Sequence, residues 1–79
     1  MFKMYIMLGG NWHLFKINGK PKASLFDCLK AAEGVNFPHY KIKHPTEPRT
    51  LLGFRFDSTP DSIFWRLEGG WNKPFDMRR

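Results

Sequence analysis

Large apolar residues recur at every second position near the start of the chain. Residues 2–8 read FKMYIML, so the even-numbered side chains fall on one side of an extended strand. Residues 11–17 alternate in the same way, and the intervening Gly9-Gly10 pair is typical of a tight turn between antiparallel strands. The pattern therefore predicts a β-hairpin over the first part of the chain.

A helical pattern follows this hairpin. Between residues 25 and 32 apolar residues recur at three- and four-residue spacing, and Cys28 is one of them. Ser24 can cap the free N–H groups at the start, and Gly34 can end the helix in the left-handed conformation. We therefore expect a helix from Ser24 to Gly34 that buries Cys28 in its apolar stripe.

Two more strands are predicted in the second half of the chain. Residues 39–43 alternate weakly and residues 50–57 clearly, with a proline-containing loop between them. The final nine residues, WNKPFDMRR, are too few and too broken by polar residues for an independent element.

The segment from residue 60 to residue 68 is predicted to form a second helix. A cap residue, a proline and an acid stand at its beginning, as they do at many helix starts. On this helix Ile63, Phe64 and Leu67 form the buried stripe. Trp65 points away from the stripe, so either the C-terminal tail covers it or a partner can reach it.

Together these elements predict a single small domain of the α+β class over residues 1–79. Its expected architecture is an antiparallel sheet of about four strands with two helices packed on one face. The other face of such a sheet is left open to solvent or to a partner.

The charge balance favours an acidic partner. The chain carries 13 Lys and Arg residues against 7 Asp and Glu, a net charge of +6, and residues 1–26 contain no acid. Such a field attracts an acidic protein surface, a ribonucleoprotein complex or nucleic acid itself. A single cysteine forms no internal disulfide, and no apolar stretch is long enough to span a membrane. These features predict a cytoplasmic protein without membrane contact.

The sequence predicts no catalytic site, no metal site and no cofactor. The three histidines lack the spacing of metal ligands, and the carboxylates are dispersed along the chain. Phosphate-binding loops and dinucleotide fingerprints are missing from the sequence. We therefore expect a protein that binds rather than one that catalyses.

Two segments resemble parts of the RNA-recognition motif. Residues 53–56, GFRF, are similar to the family's aromatic strand signature, and residues 4–8, MYIML, are similar to its first-strand signature. The resemblance covers less than half of the chain. It implies that Tyr5, Phe54 and Phe56 stack on the bases of a bound RNA.

Minimal size and a basic, aromatic-rich composition favour a small non-catalytic protein that blocks a surface of a larger assembly. The assembly would handle nucleic acid or present an acidic groove, and small phage-encoded inhibitors such as anti-CRISPR proteins are of this kind. The alternative is direct RNA or DNA binding through an open, basic and aromatic sheet face. The predicted contact residues are the Trp, Lys and Arg side chains that could serve as anchors: Trp12, Lys16, Lys20, Lys22, Lys41, Lys43, Arg49, Arg55, Trp65 and Arg66.

Overall fold

The computed structural model describes residues 1–59 and 61–69, which form a five-stranded sheet and one helix. The elements are β1 (Lys3–Leu8), β2 (Asn11–Phe15), α1 (Leu25–Gly34), β3 (His39–Lys43), β4 (Thr50–Arg55) and β5 (Ile63–Glu68). The strands lie in the order β2-β1-β3-β4-β5, and all neighbours are antiparallel. The predicted α+β class is confirmed, but the expected four strands and two helices are five strands and one helix in this part of the chain.

Tight turns of one type shape the first third of the chain. Gly9 and Gly10 have φ angles of 57° and 81°, and Asn18 and Gly19 have φ angles of 53° and 75°. Two successive residues with positive φ form the turn whose twist matches that of a β-hairpin. The first of these turns joins β1 to β2, as the alternating pattern predicted.

Helix α1 begins where the sequence indicates. The Ser24 hydroxyl oxygen accepts a hydrogen bond from the Asp27 N–H at 3.1 Å, and Asp27 adds a negative charge to the first turn. The helix ends at Gly34, but Gly34 does not have the expected left-handed conformation, and Val35 continues in extended geometry. No helix within residues 1–59 and 61–69 is long and apolar enough to cross a membrane.

A buried arginine from β4 holds the C-terminal end of α1 instead. Arg55 Nη2 donates to the carbonyl oxygens of Ala32 at 2.6 Å and Val35 at 2.7 Å, and Nη1 donates to the carbonyl of Thr59. Nε and Nη2 also donate to the Tyr40 hydroxyl at 3.2 and 2.9 Å. The last carbonyls of a helix lack partners within the helix, and a cation stabilises the negative end of its dipole. Arg55 therefore joins the helix end, the sheet and the β4–β5 loop.

The hydrophobic core lies between α1 and the inward face of the sheet. Its largest fully buried side chains are Phe2, Met4, Leu25, Cys28, Tyr40 and Ile42. Burial, with a smaller effect of Asp27, raises the pKa of the Cys28 thiol to about 11. The predicted place of Cys28 in the core is confirmed.

The predicted second helix is wrong, because residues 63–68 form strand β5 and pair with β4 along their whole length. The run begins Ile-Phe-Trp, and such β-branched and aromatic residues fit a pleated sheet well. Alternate residues face opposite sides of the sheet, so the helical stripe does not exist. Ile63 packs against the core, whereas Phe64 and Leu67 are 61% and 41% exposed.

The supposed start of that helix is a loop. The Asp57 carboxylate accepts hydrogen bonds from the Thr59 N–H at 2.8 Å and from the Thr59 hydroxyl at 2.6 Å. The Ser62 hydroxyl donates to the Asp57 carbonyl at 2.8 Å. The hydrogen bonds from Thr59 are the main reason why the pKa of Asp57 is lowered. Pro60 lies outside the described residues.

Trp65 lies on the inward side of β5, against Gly53 of β4. A Cβ atom added to Gly53 would lie 2.5 Å from Cζ3 and 2.8 Å from Cε3 of the indole. The ring centroids of Trp65 and Tyr40 are 5.9 Å apart. Glycine at position 53 thus provides the space in which the indole is half-buried. The predicted cover from Trp71 or Phe75 lies outside the described residues.

Candidate functional site

Helix α1 covers one face of the sheet, and no element of the described chain covers the other, which we call the open face. Its side chains alternate with the inward-facing ones on all five strands. They are Lys3, Tyr5, Met7, Trp12, Leu14, His39, Lys41, Lys43, Thr50, Leu52, Phe54, Phe64, Arg66 and Glu68. This face combines cations and aromatic rings with a single carboxylate, so its electrostatic potential favours an anionic ligand.

Aromatic side chains line one end of the open face. His39 is directly opposite Phe54, with 5.3 Å between ring centroids, and Phe54 is directly opposite Phe64. Trp12 lies at the same end of the sheet on β2. We call these four residues the aromatic row. Phe54 is 48% exposed and Trp12 is 37% exposed, so a ligand can reach their rings.

A groove of about 350 Å³ runs along the aromatic row and is also lined by Leu52 and Arg66. A volume in this range accommodates a flat ring or a large side chain. Arg66 Nη2 lies 2.7 Å from Glu68 Oε2, and both side chains are largely exposed. An exposed pair of this kind contributes little to stability, so the guanidinium can exchange its partner for a ligand at small cost.

Lys41 occupies the middle of the open face. Its Nζ lies 4.6 Å from the ring centroid of Trp12 and 5.3 Å from that of Tyr5. Partial burial is the main cause that lowers the pKa of Lys41, and the nearby charge of Lys43 adds to it. The two rings hold the ammonium group in place by cation–π attraction. An anion that approaches the open face therefore meets a positioned cation.

Several predicted contact residues lie on the open face. They are Trp12, Lys41, Lys43 and Arg66. The register brings them together from three strands, β2, β3 and β5, that are far apart in the sequence.

The lysines between β2 and α1 lie outside the five strands. Lys16 and Lys20 are exposed just beyond the end of β2. Lys22 lines a cavity that also contains Lys3 and Lys43, at the opposite end of the sheet from the aromatic row. Lys22 thus adds positive charge next to two lysines of the open face.

The remaining predicted contacts point inward. Trp65 and Arg55 face the α1 side, and Arg55 is buried against the helix end. Arg49 is also buried, and its Nε lies 2.8 Å from Oε1 of Glu47. Both arginines were predicted as surface anchors because arginine and tryptophan anchor many protein interfaces. In the structure their hydrogen bonds go to carbonyls, a hydroxyl and a carboxylate of the protein itself.

Some residues of the open face were not among the predicted contacts. Lys3 and His39 were missed, and Phe64 was assigned to the core of a helix that does not exist. Tyr5 and Phe54 were identified only through the resemblance to the RNA-recognition motif. The apolar residues at every second position, Ile63, Trp65 and Leu67, were the signal that could have identified a strand here and placed Phe64 on its other face.

The arrangement offers binding groups: flat rings, positioned cations and an apolar groove. Within the described ranges, no cluster of three or more His, Cys, Asp or Glu side chains could hold a metal ion. Comparison of the chain with protein-family models, with curated proteins and with solved structures found no significant match.

Proposed function

We propose that this protein is a non-catalytic nucleic-acid-binding module that holds single-stranded RNA or DNA on its open face. The observation that supports it is the combination of exposed rings and cations on one uncovered sheet surface. Bases stack on aromatic side chains, and lysine and arginine neutralise the phosphates that connect the bases. The open face carries both sets of groups side by side.

Exposed rings favour a single strand over a duplex. In a duplex the bases are stacked on each other, so rings on a broad sheet face could reach only the backbone. In a single strand the bases can turn toward the sheet and stack on the exposed rings of Phe54 and Phe64. Lys41 and Lys43 then lie two and four residues along β3 from His39, beside the path of the backbone.

A quantitative test is the binding of a fluorescent oligonucleotide of about 12 nucleotides, followed by anisotropy at about 50 mM salt. We expect a Kd in the micromolar range or tighter for the single strand and weaker binding of the matching duplex. With four cations on the open face, log K should fall with log salt with a slope of about −2 to −3. No binding of any RNA or DNA oligomer under these conditions would refute the proposal.

Matched variants locate the surface. Phe54→Ala should cost about 1–3 kcal/mol of binding free energy, as the loss of one stacked base does. Lys41→Gln should weaken binding and reduce the salt slope. The controls are Phe26→Ala and Lys30→Gln, because Phe26 and Lys30 form a comparable exposed cation–π pair on the outer side of α1, with 5.8 Å between Nζ and the ring centroid. If the control variants weaken binding as much as the open-face variants do, the open face is not the binding surface.

The second candidate is a blocking protein that covers an acidic surface of a nucleic-acid-handling assembly, in the manner of a phage-encoded anti-CRISPR inhibitor. The apolar groove beside Trp12 and Arg66 favours it, because tryptophan and arginine at a pocket dominate many protein interfaces. The oligonucleotide experiment separates the candidates. A protein that binds no oligomer but loses inhibition of a purified nucleic-acid-handling complex on Trp12→Ala would be a blocking protein.

A further inference from the structure

The end of the sheet opposite the aromatic row carries an unusual pairing of charges. Lys3 on β1 lies directly opposite Lys43 on β3. Like charges directly opposite each other on antiparallel strands destabilise a sheet. Fold stability therefore does not explain this pair. A ligand that neutralises both ammonium groups would explain it.

A third lysine reaches the same place from another segment. Lys22, just before α1, lines a cavity of about 450 Å³ together with Lys3, Lys43, Tyr5 and Glu47. The three lysines thus come from β1, from β3 and from the segment that follows β2. We call this the lysine cavity.

No described carboxylate neutralises these lysines. Among residues 1–59 and 61–69, ion pairs are formed by other cations, and none involves Lys3, Lys22 or Lys43. Glu47 borders the cavity, but its carboxylate is buried and accepts hydrogen bonds from Arg49. The cavity consequently keeps a concentrated positive charge.

We propose that the lysine cavity is a binding site for a phosphate group. A phosphate offers several strong acceptor oxygens and more than one negative charge, which matches three lysines lining one cavity better than a single carboxylate does. Tyr5 connects the cavity to the open face, because it lines the cavity and its ring also lies 5.3 Å from Lys41 Nζ. The further claim that this phosphate belongs to the backbone of a strand lying on the open face rests on the proposed function.

The first test uses pyrophosphate alone and thermal unfolding at constant ionic strength. At a concentration about five times its Kd, pyrophosphate should raise the Tm by about 4–8 °C. The double variant Lys3→Gln/Lys43→Gln should abolish this shift. The control double variant Lys20→Gln/Lys30→Gln removes the same charge and should keep the shift. Without pyrophosphate, Lys3→Gln/Lys43→Gln should be at least as stable as the wild type, because it relieves a like-charge repulsion. No shift in the wild type, or an equal loss in both double variants, would overturn the proposal.

The second test asks where the phosphate comes from. With the oligonucleotide, Lys3→Gln/Lys43→Gln should reduce the steepness of the salt dependence by about 0.7 for each lost phosphate contact, and the control should not. A pyrophosphate shift with unchanged oligonucleotide binding would support a site for free phosphate compounds and overturn the backbone role. A pyrophosphate shift without any oligonucleotide binding would refute the proposed function and leave the lysine cavity as a phosphate site.

Discussion

The two faces of the sheet belong to the same five strands but meet different surroundings. The inward face places Met4, Tyr40 and Ile42 under α1, where they are fully buried. The open face presents the exposed rings of Phe54 and Phe64 between cations. The small core is made mostly of medium-sized apolar side chains, and several aromatic rings of the chain lie outside the core. The contrast shows that aromatic content in a short chain does not measure the size of its core.

The difference between the faces should appear most strongly in phenylalanine substitutions. Phe2→Ala removes a fully buried ring and should lower the free energy of unfolding by about 3–5 kcal/mol. Phe64→Ala removes an exposed ring, so we expect a loss below about 1 kcal/mol. Urea unfolding followed by circular dichroism measures both values. Similar losses would mean that the open face is covered in solution.

Two arginines offer a matched comparison of buried and exposed cations. Arg55→Met should cost about 2–4 kcal/mol, because the carbonyls of Ala32 and Val35 lose their donor inside the protein. Arg66→Met removes only an exposed pair with Glu68 and should cost less than about 1 kcal/mol. The same urea unfolding experiment measures both losses. Helix content should fall only in the Arg55 variant. Equal costs would exclude Arg55 as the residue that holds the end of α1.

A smaller effect is expected from the buried Cys28 thiol, which makes the free energy of unfolding depend on pH. Burial raises the pKa of Cys28 from 9.0 to about 11, so the unfolded chain loses the thiol proton at a lower pH than the folded protein does. The resulting stabilisation is complete below pH 9.0 and is lost as the pH rises through about 11. A shift of this size corresponds to about 2–3 kcal/mol.

The measurement is the unfolding free energy of the wild type and of Cys28→Ala over this pH range. The wild type should lose about 2–3 kcal/mol more than the variant between pH of about 8 and about 12. The small cavity left by alanine adds a cost that does not depend on pH. A constant difference between the two proteins would show that Cys28 ionises as easily in the folded protein as in the unfolded chain.

The sequence predicts the elements whose signals are local. The alternation of residues 2–8, the glycine pair that follows and the Ser24 cap are all contained within short segments, and the structure agrees with each of them. The class of the fold follows from these elements. The helix prediction for residues 63–68 is wrong because a short apolar run fits either a strand or a helix. Pairing with β4 makes this segment a strand.

The site is harder to predict because it depends on long-range placement. Both faces of β1 and β4 contain apolar residues, so the sequence alone does not indicate which face α1 covers. Arg55 and Arg49 resemble surface cations until the helix end and Glu47 are brought next to them. Lys3 and Lys43 lie forty residues apart in the sequence, and only the β1–β3 register makes them neighbours. Composition indicated an anionic partner, but not the surface that would meet it.

The close approach of Trp65 to Gly53 also limits how this protein can change over generations. A side chain at position 53 collides with the indole, whereas a smaller residue at position 65 removes the obstacle. Descendants that acquire alanine or serine at position 53 should therefore already have replaced the tryptophan. The substitution at position 65 therefore has to come before the substitution at position 53.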